Sequence, residues 1–320
     1  MDFVPVVYEH AAKLINRRPW DVSRSADLLV DAHAAAYAVY RHSPVVVGID
    51  VYNVEPETYG AVVGDPGGNE VPSVMGQLCQ HAADLHSLVR PDPARSGRFP
   101  IVMEAAARLK EKCPGAEVRI PLSGPFSIAC ALVGFQGILL EVLTNPDTVA
   151  AALRYLAAGQ VEVCRTFASK GFRVIFFESA GSPPFISPDS FKSAIFPALR
   201  EMIAGVRSLM NESPPLILGG DTSGILEDLL RTGTEYVICP AETDREAFME
   251  IMKRHPSVTV RMNTPVRLFA SGDREALRAE LVYLAQLAGG RPATVLGSGV
   301  LPYDVDSSTV RFAQEVAAAL

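Results

Sequence analysis

The stretch from Val45 to Asp50, VVVGID, constrains this chain most. Five apolar or small residues in a row make a strand buried on both faces, and the run ends on a carboxylate. Such strands belong to parallel sheets covered by helices, where the C-terminal strand tips carry the chemistry. The pattern recurs. Strands are expected at 45–50, 117–123, 173–179, 215–221, 235–242, 258–263 and 293–299. Helices are expected at 24–42, 73–89, 100–112, from Phe126 onward, and at 147–170, 187–210, 222–232, 244–254, 272–289 and 305–320. A polar hairpin around 61–72 rises above the first strand tip. Repeated strand-then-helix alternation implies a parallel sheet. The chain has 320 residues, 48% of them hydrophobic, enough for the core of one barrel. The expected fold class is α/β: a single (β/α)8 TIM barrel domain over 1–320, with 1–42 as an N-terminal helical arm and 43–320 as the barrel. One strand is hard to place, within either 134–145 or 264–271.

Charge and cysteine usage narrow the function. A net charge of −7 without a basic cluster disfavours nucleic acid as a partner. The five cysteines are odd in number, widely spaced and without a CxxC pair, which fits buried thiols in a reducing compartment. No apolar run approaches the length of a membrane span, and the N-terminus lacks a leader pattern, so a cytoplasmic location without membrane contact is expected. The sequence has no GxGxxG after a strand, no Walker A loop, no GxSxG elbow and no HExxH.

In a barrel all strand tips open on one face. They would bring Asp50, Glu178, Asp221, Glu242 and Asn263 together there, with Ser298 in a glycine-flanked turn. Converging carboxylates can bind a metal, orient a polar substrate or serve as acid and base. Each could instead cap the helix that follows it, and for Asp221, ahead of Thr222 and Ser223, capping is an equal reading. Gly219, Gly220, Gly297 and Gly299 remove side chains at strand ends. That would let a flat cofactor approach the backbone, or it would simply allow tight turns.

The order of motifs resembles the uroporphyrinogen decarboxylase superfamily, which includes corrinoid-dependent methyltransferases. The stretches are GIDVYNVEPETYG, PLSGPFSIACALVG, Glu178 followed by SPDSFKSAIFPALREMI, LILGGDTSGILEDLLRTG and LGSGVLPYDV. Within that resemblance Asp50 matches the aspartate of the decarboxylases' FSD motif. Ala131 stands where their tyrosine is expected and Ser298 where their histidine is. Only Arg17-Arg18-Pro19-Trp20 stands in for their arginine-rich N-terminal motif. The zinc ligands of the coenzyme M methyltransferases fall on Ile217, Gly219 and Ser298, which cannot bind zinc in the same way.

The methyltransferase I components of anaerobic O-demethylases are more similar, through Gly97-Arg98-Phe99-Pro100, SGPFS, GGDT, CPAETD and LGSGVLPY. Their zinc pattern, E-x14-E-x20-H, implies Glu55, Glu70 and His86, although residue 91 and not His86 holds the final register. An alternative register is Asp50, Asp65 and His86. The resemblance implies transfer of a methyl group from a methoxylated, aromatic donor to a Co(I) corrinoid carried by a partner protein, with zinc as a further expected cofactor. Tyr52 and Phe126 would hold the ring, and the acidic cluster would face the ether oxygen. The competing readings are porphyrinogen decarboxylation and a barrel that only binds a small molecule.

Overall fold

Eight short parallel strands form the frame: β1 (Phe3–Val6), β2 (Val45–Val46), β3 (Val118–Ser123), β4 (Arg173–Phe177), β5 (Leu216–Ile217), β6 (Tyr236–Cys239), β7 (Thr259–Thr264) and β8 (Thr294–Val300). The structure, a computed structural model, describes residues 1–178 and 180–320. Ser179, the last residue expected in the third strand, lies outside the described residues. Backbone ladders join the strands into two curled sheets, β2-β3-β4-β5 and β1-β8-β7-β6. β1 pairs with β8, Phe3 opposite Leu296 and Val4 opposite Gly297, so the first strand lies beside the last. This is the expected (β/α)8 barrel.

Side chains alternate across the strands as the period of two requires. On β4, Val174 and Phe176 point outward into the main core beneath the helices. Ile175 and Phe177 point inward, where they meet Val6, Tyr8, Ile217 and Ile238. The outer core is continuous around the barrel. Leu153, Leu156 and Val163 of the helix Pro146–Ser169 are buried beside Leu199, Met202 and Val206 of Phe196–Met210.

Two expectations need correction. The missing strand lies in neither expected segment, since those form the helices Phe135–Thr144 and Val266–Ser271. It is β1, inside the supposed N-terminal arm. FVPV is short and contains a proline, and only pairing with β8 defines it as a strand. The helix expected at 73–89 is instead the strand Ser73–Met75, paired antiparallel with Val62–Gly64, followed by a single 3-10 segment, Ala82–Ser87. The helix Ala26–Tyr40, which realises the helix expected at 24–42, is capped by Ser25, which accepts from the Leu28 N–H. The apolar helices Pro125–Val133 and Phe135–Thr144 meet at Gly134 with a bend of 114°. Among the described residues no single helix is long and apolar enough to cross a membrane.

Candidate active site at the barrel mouth

The segment after β2 commits its carboxylate to an arginine. Asp50 is buried, and Arg98 holds both its oxygens, each at 2.7 Å. The Nε of Arg98 donates to Glu57, which also accepts from Arg24 at 2.7 Å. Burial works against the Arg98 charge, but Asp50 and Glu57 more than offset it and hold its pKa above the ordinary arginine value. Asp50 is therefore the centre of a structural ion-pair network. Arg98 is the partner that the sequence reading missed, although the GRFP motif contained it.

Glu55 is fully buried on the short helix Val54–Thr58. It accepts from the Ser123 N–H at 2.7 Å, the Ser123 hydroxyl at 3.0 Å and Gln160 at 3.3 Å. Burial pushes its pKa up to about 7 against the pull of these bonds.

Glu178 follows β4 directly and is also fully buried. It lies at the N-terminus of the helix Pro125–Val133. The Phe126 N–H donates to Oε2 at 2.9 Å, and the Ser127 N–H and Oγ–H donate to Oε1 at 2.7 and 2.5 Å. Helix N-termini favour an anion in this position. Burial nevertheless dominates, and the carboxyl titrates at about 7. Gly124 makes the clasp possible, because a Cβ there would lie 2.7 Å from Glu178 Cδ. The SGPFS motif is thus a cradle for Glu178.

The remaining tips are divided. Asp221 accepts from the N–H and hydroxyl of Ser223, at 3.1 and 2.7 Å, so it caps its own turn. Glu242 is exposed and, with buried Asn263 and Thr264, lines a groove of about 370 Å³. Thr264 Oγ1 is buried there without a hydrogen-bond partner. Ser298 is turned away: its Oγ accepts from the Val6 N–H at 3.0 Å and ties β8 to β1. Phe126 is a core residue with no exposed surface.

The glycines make room for the protein's own atoms. A Cβ at Gly220 would strike Ser182 Oγ at 2.8 Å, one at Gly297 Arg261 Cδ at 2.6 Å, and one at Gly299 Val266 Cγ2 at 2.7 Å. The carbonyl of Gly219 accepts from Ser182. At Gly220 and Gly297 the space expected for a flat cofactor is occupied, whereas Gly299 lines the groove beside Glu242.

Neither zinc register assembles. Glu55 is buried, whereas Glu70 and His86 are exposed, His86 with its ring 5.2 Å from that of Tyr155. In the alternative, Asp50 is held by Arg98, and exposed Asp65 pairs with Arg18. Among the described residues no group of three or more His, Cys, Asp or Glu side chains is placed to hold a metal. A second groove of about 370 Å³ opens beside Glu178, lined by Tyr52, Ser127, Cys130, Phe135 and Phe185 among others. Phe135 and Phe185 meet edge to face at 5.1 Å and are both exposed, and Tyr52 packs edge-on against Phe177. Only Tyr52 of this set was expected. Phe135 and Phe185 lie in loop-proximal positions that no strand-tip argument reaches.

Residues 1–317 match the family model described as uroporphyrinogen decarboxylase (URO-D). The methylcobamide:CoM methyltransferase MtaA of Methanosarcina barkeri (strain Fusaro / DSM 804) is 24% identical over 238 residues, covering 73% of this chain and 68% of its own. The chloroplastic uroporphyrinogen decarboxylase 2 of Arabidopsis thaliana is 23% identical over 225 residues, covering 68% of this chain and 55% of its own. A solved methyltransferase from Methanosarcina mazei has a TM-score of 0.84 at 18% identity, over 99% of this chain and 94% of its own, a likeness of fold.

Proposed function

The chain belongs to the uroporphyrinogen decarboxylase family, and from that premise we propose that it is a methyltransferase moving a methyl group from a methoxylated aromatic donor to the Co(I) corrinoid of a partner protein. The observation that carries this reading is the open aromatic groove at the strand tips with Ser127 in its wall and Glu178, buried behind it, bonded to the Ser127 hydroxyl. The methylcobamide methyltransferases among its relatives support corrinoid methyl chemistry.

An aryl methyl ether leaves poorly unless its oxygen gains a proton as the C–O bond breaks. Tyr52, Phe135 and Phe185 offer ring faces and edges to an aromatic donor. Glu178, its pKa raised by burial to about 7, is the proton reservoir. It gives its proton to Ser127 Oγ while the serine hydroxyl proton passes to the ether oxygen. The bonding pair stays on that oxygen, and the product is a phenol. A Co(I) corrinoid on the partner protein would supply the electron pair that takes the methyl. Glu178 is left as a carboxylate clasped by two backbone N–H groups and is reprotonated from solvent. Neither expected zinc ligand set has its members within reach of one ion, so the proton in this scheme comes from Glu178. Porphyrinogen decarboxylation is disfavoured because, among the described residues lining the two mouth grooves, Arg267 is the one cation for substrate carboxylates.

The test is to mix the chain with a reduced corrinoid protein and a panel of methoxylated aromatics and to follow the Co(I) spectrum. Loss of Co(I) with release of the phenol supports the reading. No transfer across the panel, non-aromatic methyl donors included, sinks it.

A further inference from the structure

The barrel axis carries a guanidinium without an acid. Arg261 of β7 points inward and is 7% exposed. Among the described residues it makes no ion pair, unlike the other inward arginine, Arg119, which is bonded to Glu117 at 2.7 Å and Glu212 at 3.1 Å. A buried charge with no counter-charge is strongly unfavourable in a folded protein, yet the chain is built to hold this one. Asn263 accepts from Arg261 Nε at 3.0 Å and fixes the plane of the fork. Gly297, on the neighbouring strand, lacks the Cβ that would collide with Arg261 Cγ at 2.9 Å and Cδ at 2.6 Å.

Arg261 faces a cavity of about 90 Å³ inside the barrel, whose wall includes Tyr8, Tyr236, Arg119, Ile175 and Phe177. Barrel interiors are ordinarily filled by packed side chains. This one leaves room for about three waters, or an anion of three or four heavy atoms. Glu117, also in the wall, is already held by Arg119 and Arg173. Burial raises the pKa of the Tyr236 phenol, and Arg261, by its charge and a side-chain hydrogen bond to Tyr236, opposes the rise together with Arg119.

We propose that the interior of this barrel is a binding site for a small monovalent oxyanion or carboxylate, held by Arg261 with the Tyr8 and Tyr236 rings as walls. The planar fork matches a planar two-oxygen ligand, and such an anion supplies the missing counter-charge. The site is separate from the aromatic mouth groove: Tyr8 and Phe177 line the one and Tyr52 the other, and the Tyr8–Phe177 and Phe177–Tyr52 edge contacts, at 5.9 and 6.2 Å, lie between them. It stands whether or not the methyl-transfer reading holds.

The test uses formate and nitrate as probes on the full chain, with bromide for crystals. Thermal unfolding is measured against each anion at constant ionic strength, in the native protein and in Arg261→Met. The native midpoint rises saturably, and the variant binds about tenfold or more weakly. Crystals of the native protein soaked in bromide show an anomalous peak beside Arg261. If Arg261→Met does not fold, Arg261→Lys, which keeps the charge and loses the fork, shows the same weakening, and the bromide result stands by itself. An identical anion response in native and variant proteins, or a bromide map with no peak in the cavity, overturns the proposal.

Discussion

Replacing Glu178 by glutamine should change how stability depends on pH, and the size of the change follows from burial. The carboxyl has an ordinary value of 4.5 and titrates at about 7 in the folded protein. A raised carboxyl pKa contributes stability that is fully present below the unfolded value and is lost as pH rises through the folded one. The loss therefore falls between roughly pH 4.5 and pH 7 and is worth about 3 kcal/mol. The native curve alone will not reveal it. Glu55 loses stability over the same window, again with a folded value of about 7. Buried His10 and His33, lowered to about 4 by burial, act in the opposite direction, gaining stability as pH rises toward 6.5. The difference between native protein and Glu178→Gln removes these shared contributions. Urea unfolding at pH 5, 6, 7 and 8 should show the variant gaining about 2.5 kcal/mol on the native protein from the acid to the alkaline end. Its amide leaves one clasp donor facing a donor, which lowers the whole variant curve by about 1–3 kcal/mol without altering that trend. Parallel curves for the two proteins would refute the assignment of a neutral, burial-shifted Glu178.

Other expectations follow from the same contacts. Arg98→Met leaves Asp50 buried without its counter-charge and should lower unfolding stability by about 3–5 kcal/mol, with Asp50→Asn partly rescuing it in the double variant. Gly124→Ala forces a methyl group against Glu178 and should cost about 1–3 kcal/mol by urea unfolding. Ser127→Ala should fold within about 1 kcal/mol of native and slow methyl transfer by about 10²–10⁴, read in single-turnover kinetics. The transfer rate of the native enzyme should fall as pH rises above about 7, where Glu178 gives up its proton, and a flat profile from pH 6 to 9 would speak against that role.

The barrel was legible because buried parallel strands are nearly all apolar and alternate with amphipathic helices, as Val118–Ser123 and Arg173–Phe177 do. β1 was not, since FVPV has no helix or strand period of its own and acquires its identity from Leu296 and Gly297, almost three hundred residues away. The strand tips were also legible as positions, but not as roles. Whether a carboxylate meets solvent, a cap or an arginine depends on contacts far along the chain: 48 residues separate Arg98 from Asp50, and 51 separate Ser127 from Glu178. Spacing within one segment could suggest Glu55, Glu70 and His86 as a set, yet the fold buries the first and leaves the other two at the surface. Asp221 did what a strand-end aspartate before Thr-Ser most simply does, and capped its own turn.

The central claim is that a methyl group leaves an aromatic ether and arrives on the partner's corrinoid. It is tested most directly with a donor carrying a ¹³C-labelled methoxy group, the full chain and a reduced corrinoid protein, followed by NMR. The account predicts that the label moves to the corrinoid protein while one phenol forms for each label transferred, and that neither happens without this chain. Label that stays on the donor with a competent corrinoid protein present, or that moves equally well in the absence of the chain, would contradict it.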